Sequence, residues 1–246
     1  MAKILGSINL GCQSWCYRDF RGIDTLAKML RESDLDTLEI CSVHADFFNR
    51  EKWEKTVEEI KAAGININSC GVSGMGNDEA GLRSLFDFGK TLGLKALDAD
   101  PDKDALPLIE KLCDEYGIKI AIHNHGKHHR YGFEEQLDEI FDATTPNVGL
   151  LLDTGWALDA GLDPVKMIYK YKDRLYGVHL KDFTFDEKGD PQETVLGTGE
   201  LDLEGVIAAL RDINFNGYAS LEYEGDASNP VPKITACVEN LRKINA

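Results

Sequence analysis

The sequence predicts an α/β fold, a single (β/α)₈ barrel (TIM barrel) domain over residues 1–246, and three observations predict it. Eight short β-rich runs alternate with segments of helical period along the whole chain, the pattern of a parallel sheet covered by crossover helices. A chain of 246 residues matches the size of one such barrel, whereas a doubly wound sheet carries a glycine-rich first turn, and no G-x-G-x-x-G opens the first helical segment here. No Pro- or Ser-rich linker divides the chain, and its longest irregular stretch, 183–200, lies inside one βα unit.

The predicted strands are 9–14, 37–41, 65–70, 95–98, 119–123, 149–153, 176–179 and 218–222. The helical segments between them show one apolar face each: Trp53, Val57 and Ile60 after the second strand, and Leu82, Leu85 and Phe86 after the third. Gly64 and Gly93 stand just past these two, where a left-handed cap is wanted. Leu203, Val206, Ile207 and Leu210 fall at i, i+3, i+4 and i+7, and Ile234, Cys237, Val238 and Leu241 repeat the spacing near the carboxyl end. The glycine-rich stretch 71–76 lacks a P-loop lysine and reads as a loop or lid. Asp98, Asp100, Asp102 and Asp104 lack the glycine and terminal glutamate of a calcium loop and read as a solvated turn into a helix.

Composition narrows the function. Forty-three acidic against 27 basic residues give a formal charge of −16, so nucleic acid and anionic membrane surfaces are excluded as partners. No apolar run approaches the roughly 20 residues of a membrane span. The first residues, Met1 to Gly6, carry no signal-peptide core, and the chain reads as cytoplasmic. Six scattered cysteines without C-x-x-C units read as reduced core residues.

In a barrel of this kind the functional residues stand at the carboxyl ends of the strands. All six histidines fall there: His44 after the second strand, His123, His125, His128 and His129 at or after the fifth, and His179 ending the seventh. His123, Asp153, His179 and Glu222 end four successive strands, and each follows an apolar stretch such as Leu150-Leu151-Leu152. Neutral imidazoles and carboxylates converging on one point form a mixed N/O donor set for a divalent metal. Buried there without a metal or hydrogen-bond partner they would be costly.

These residues also resemble a family, the xylose isomerase-like barrels of the sugar phosphate isomerase/epimerase group. The likeness runs from Gly11-Cys12-Gln13-Ser14-Trp15 to Glu222-Tyr223-Glu224. Its most specific pieces are Ile122-His123-Asn124-His125-Gly126, Leu152-Asp153-Thr154-Gly155-Trp156 and His179-Leu180-Lys181-Asp182, with Gly197-Thr198-Gly199 before a helix. The resemblance implies a divalent metal ion (Mn²⁺, Mg²⁺, Co²⁺ or Zn²⁺) on His123, Asp153, His179 and Glu222. One departure stands out: the sugar epimerases carry a glutamate where this chain has His123, which removes the second of their two acid/base glutamates. The His-Asn-His-Gly variant resembles a subgroup that includes lyases acting on 3-keto-glycosides.

The implied activity is metal-dependent isomerisation or epimerisation of a keto-sugar or related polyol through proton abstraction next to a carbonyl. The alternative is dehydratase or lyase chemistry, a β-elimination from a 3-keto-glycoside or inosose on the same metal site. Both begin with the same enediolate. Candidates for the base are Glu222, Glu39 and His125, the last on the side of His123 by strand alternation. Lys181 shares the side of His179 and is placed to donate a proton or hold an oxyanion. Trp15 and Trp156 are the aromatic faces available to a sugar ring, and His44 and Arg130 the polar substrate contacts around them. The expected partner is a small-molecule carbohydrate, and a homo-oligomer is left open. An abasic-DNA endonuclease, also known on this barrel, would need a basic groove that the charge of −16 denies. A metal-free sugar-binding module is a further alternative.

Overall fold

A computed structural model describes residues 8–244; the amino-terminal stretch read above for targeting lies outside the described residues. The elements follow in chain order as β1 (Asn9–Gln13), α1 (Ile23–Glu32), β2 (Thr37–Ile40), α2 (Arg50–Ala63), β3 (Asn66–Cys70) and β4 (Ser73–Met75). Next come α3 (Glu79–Leu92), β5 (Ala96–Pro101), α4 (Leu106–Tyr116), β6 (Lys119–His123), α5 (Glu134–Ala143) and β7 (Val148–Asp153). The remainder is α6 (Thr154–Asp159), α7 (Pro164–Lys170), β8 (Leu175–Leu180), β9 (Asp182–Phe185), β10 (Pro191–Thr194), α8 (Leu203–Asp212), β11 (Tyr218–Leu221) and α9 (Val231–Ile244).

Nine strands form one parallel sheet in the order β3-β2-β1-β11-β8-β7-β6-β5-β4. Its two outer strands, β3 and β4, are consecutive in the chain, so the sheet curls round on itself as a TIM barrel whose third position is broken in two. β3 pairs with β2 on one side, and β4 pairs with β5 on the other. The break falls at Gly71, which approaches β5 so closely that a Cβ there would lie 2.3 Å from the Asp98 carbonyl oxygen. Its φ of +146° is a second reason for glycine. Part of the stretch expected to be a loop is therefore a strand: Ser73, Gly74 and Met75 pair with Ala99, Asp100 and Pro101.

The helical faces are those the spacing predicts. Leu203, Val206, Ile207 and Leu210 of α8 and Ile234, Cys237, Val238 and Leu241 of α9 are all buried against the sheet. Gly64 and Gly93 cap α2 and α3 in the left-handed conformation. All six cysteines are free and buried.

Two expectations need correction. Asp98 is not in a solvated turn: β5 runs on to Pro101, and strand alternation turns Asp98 into the barrel interior, fully buried. The Tyr218 hydroxyl donates to it there, which is what makes a carboxyl group tolerable at that depth. The stretch 183–200 is not irregular throughout, because β9 and β10 form an antiparallel hairpin in the loop after β8. Asp182 anchors the chain beyond it. Its carboxylate accepts from the backbone N–H of Gly197 and Gly199, each at 2.9 Å, and of Leu201 at 3.0 Å.

Candidate active site and metal centre

Four carboxyl ends meet at the mouth of the barrel. One ligand-type atom from each of His123 (β6), Asp153 (β7), His179 (β8) and Glu222 (after β11) lies within 4.8 Å of the others. His179 Nδ1 stands 3.0 Å from Glu222 Oε2 and 3.7 Å from Asp153 Oδ2, and His123 Nε2 stands 3.5 Å from the same Asp153 oxygen. Both ring nitrogens of His123 and Oδ2 of Asp153 are buried without a hydrogen-bond partner. Buried donors and acceptors without partners, aimed at one another, form a set that a cation would satisfy, and two nitrogens with two oxygens suit a divalent ion.

The surroundings fix these atoms. Asn124 clamps the end of β7: its Nδ2 donates to the Asp153 carbonyl at 3.0 Å and its Oδ1 accepts from the Asp153 N–H at 2.8 Å. Asp153 Oδ1 in turn accepts from the Trp156 N–H at 2.7 Å and caps α6, which leaves Oδ2 for the centre. On the other edge of the His179 ring, Nε2 stands 2.9 Å from both carboxylate oxygens of Glu39. Glu39 is held from above by Gln13 Nε2, which also donates to the Gly71 carbonyl at 3.3 Å.

Charge in the site follows from this packing. Burial works against a charged His179, but Glu39 and Glu222 outweigh it and raise its pKa well above the ordinary imidazole value. Burial likewise opposes the Glu222 and Asp153 carboxylates. Lys181 and His179 reverse this for Glu222, and the nearby His123 and His179 reverse it for Asp153, so both are held below the usual carboxylate range. His125 is the exception: burial, with the nearby His123, pushes its pKa down to about 4, so it is neutral at pH 7.

The centre opens into a cavity of about 340 Å³ lined by Gln13, Trp15, His123, His125, Trp156, Glu222 and Glu224. The His125 ring packs between His123 and Trp156, at centroid distances of 4.9 and 5.0 Å. Trp15 is partly exposed at the rim, its Nε1 donating to Glu224 Oε2 at 2.7 Å.

Besides the buried Asp153 and His179, four of the expected site residues do not line this cavity. Glu39 lies against the edge of His179 turned away from Glu222 and is fully buried. Lys181 is buried behind the mouth, its ammonium bonded to Glu224 and 3.4 Å from both Glu222 and Glu193. Burial opposes its charge, yet the surrounding carboxylates raise its pKa well above the usual lysine value. His44 Nε2 is 3.1 Å from the Phe20 carbonyl oxygen, and Arg130 is bonded to Asp100 at 2.8 Å and Asp102 at 2.6 Å. Gln13, Asn124, Glu224 and Glu193 escape the strand-end reading. The first three stand inside the quoted motifs, Asn124 and Glu224 within two residues of a candidate ligand and Gln13 in a stretch without one; Glu193 arrives on a hairpin without sequence signature.

The fold and the site define a class: a parallel barrel with a candidate divalent-metal donor set and a cavity of about 340 Å³ at its carboxyl end. A family model described as xylose isomerase-like TIM barrel matches residues 17–244, and the chain belongs to that family. It is 36% identical over 138 residues to an inosose dehydratase of Geobacillus kaustophilus, a match over 50% of this chain and 44% of that protein. The chain thus spans about half the length of that curated relative. A second inosose dehydratase, of Clostridium perfringens, is 26% identical over 234 residues, covering 86% of this chain and 77% of the relative. Among solved structures, IolI protein with a bound zinc atom superposes with a TM-score of 0.75 at 18% identity, covering 96% of this chain and 98% of that one.

Proposed function

We propose that this chain is a divalent-metal-dependent dehydratase that removes water from a small keto-polyol of the inosose kind. The observation that carries the reading is the site itself: a converging His123, Asp153, His179 and Glu222 set beside one neutral imidazole, His125, in a cavity of about 340 Å³. That volume lies at the small end of ligand pockets and suits a six-carbon ring. The names of the curated relatives support elimination over the isomerisation or epimerisation that the family resemblance first implies.

His123, Asp153, His179 and Glu222 would hold the ion, which when bound supplies Lewis acidity toward a carbonyl oxygen. Trp156 and Trp15 frame the cavity and present flat faces to a ring substrate. Glu224, fixed by Lys181 and Trp15, is an acceptor for a substrate hydroxyl. Neutral His125 takes the proton from the carbon next to the carbonyl. As imidazolium it returns the proton to the departing hydroxide. One C–H and one C–O bond break, one C=C bond forms and water leaves. Lys181 stays charged throughout, holds Glu222 as a carboxylate and bonds to Glu224. This single-base route does not need the second glutamate that the chain lacks at position 123.

The test is to assay the protein loaded with Mn²⁺ or Co²⁺ on an inosose and a 3-keto-glucoside beside fructose, tagatose and psicose. Loss of one water by mass with near-ultraviolet absorbance from the inosose supports the reading. A product of unchanged mass, or fast epimerisation of a free ketose unaffected by His125→Ala, overturns it.

A further inference from the structure

The opposite, amino-terminal mouth of the barrel holds a second cavity, of about 590 Å³, larger than the one beside the metal ligands. Lys95 ahead of β5, Lys119 at the start of β6 and Lys172 ahead of β8 all line it. None of the three ammonium groups has an ion-pair partner among the described residues, although the chain as a whole carries a formal charge of −16. Lys119 lies over the Tyr176 ring at 4.2 Å from its centroid, which holds that ammonium at the cavity wall. Asp173 is the one carboxylate in the lining, and Asn216 adds a neutral donor. The floor is Tyr218, whose hydroxyl is engaged with Asp98 and so faces away from the mouth.

Three lysines around one cavity, two of them exposed at its rim, stand against a single lining carboxylate, Asp173, which makes its local charge positive. Compact ammonium groups on flexible stems are point-charge partners for phosphate oxygens. We propose that the amino-terminal mouth binds a small, multiply charged phosphate compound, held by Lys95, Lys119 and Lys172 with Asn216 and Tyr176 at its sides. The site is separate from the metal centre, which lies at the other end of the strands. It does not depend on the dehydratase reading.

The probe is inorganic pyrophosphate, titrated calorimetrically into chelator-treated protein at low ionic strength. Saturable binding of one equivalent is expected, weakened at least about tenfold in the triple variant Lys95→Gln/Lys119→Gln/Lys172→Gln. A control triple at exposed positions elsewhere, Lys55→Gln/Lys61→Gln/Lys233→Gln, removes the same charge and should stay within about twofold of the parent. Asp153→Asn, at the metal end, should also leave pyrophosphate binding in place. Absence of saturable binding overturns the proposal, as does equal weakening in the two triples, which would mark a general charge effect. Loss of binding in Asp153→Asn would move the anion to the metal centre and overturns it too.

Discussion

Glu39 and His179 meet edge-on at the bottom of the candidate metal centre, both carboxylate oxygens of Glu39 standing 2.9 Å from Nε2 while Nδ1 on the opposite edge faces Glu222 at 3.0 Å. When the ring is neutral, an Nε2–H donated to Glu39 leaves the Nδ1 lone pair for the centre, so Glu39 selects the tautomer that could bind a metal. Glu39 thereby acts through His179 rather than on a substrate.

Glu39→Gln should therefore lower divalent-metal affinity by about 10–100-fold while the protein stays folded, because an amide can present its nitrogen to Nε2 and favour the wrong tautomer. Calorimetric titration of Zn²⁺ or Mn²⁺ into chelator-treated wild type and variant measures this. Unchanged affinity, with activity lost, would instead make Glu39 a reacting group.

Gly71→Ala is expected to be among the most damaging single changes away from the centre. A methyl group there would sit 2.3 Å from the Asp98 carbonyl oxygen on a backbone with φ of +146°, so β3 and β5 would have to separate where the barrel closes. A loss of more than about 2 kcal/mol follows, from steric and backbone strain together. Urea denaturation would report it as a lower midpoint, and a variant within error of wild type would show that the closure is not tight.

Glu193 sets a pH dependence of stability. Burial, only partly offset by Lys181, pushes its pKa from 4.5 up to about 7. A carboxyl group whose folded pKa is raised binds its proton more tightly in the folded state. Its contribution is therefore fully present below about pH 4.5 and is lost as pH rises through about 7. Glu193→Gln keeps an acceptor for the Glu224 N–H, which now bonds to Glu193 Oε2 at 2.7 Å, but cannot ionise. Relative to wild type the variant should gain stability between pH 5 and pH 8, by up to about 3 kcal/mol if the whole shift is expressed. Urea melts of both proteins across that range check the sign. A constant difference would mean that Glu193 titrates normally.

The strand ends were readable because a histidine or carboxylate after three apolar residues has few structural reasons to be there, as in Leu150-Leu151-Leu152-Asp153. Helix faces were readable from their period alone. Asp98 was not, since its run of alternating aspartates looks like any polar turn and only the register of β5 against β6 and β4 turns it inward toward Tyr218. Glu193 was hidden for another reason: Pro191-Gln192-Glu193-Thr194 has no apolar alternation, and it is a strand only because it pairs with β9. Glu39 was visible as a strand-end carboxylate, but that it faces the far edge of His179 depends on two strands that are not neighbours in the sheet.

Asp153 performs two tasks with its two oxygens, and substitutions can separate them. Oδ1 accepts from the Trp156 N–H at 2.7 Å as the cap of α6, whereas Oδ2 is unpaired and buried between His123 and His179. Asparagine keeps a carbonyl oxygen for the cap and places a neutral amide at the centre. Alanine removes both. Both variants should lose metal affinity by more than the roughly 10–100-fold that loss of an outer partner costs, because an anionic ligand itself is gone. In chelator-treated protein, however, Asp153→Ala should be less stable than Asp153→Asn by about 1 kcal/mol, the usual worth of a helix cap. Denaturation without metal and titration with it read the two tasks separately. Equal stability of the two variants would show that the cap contributes nothing. Tight metal binding by Asp153→Asn would place the ligand set elsewhere.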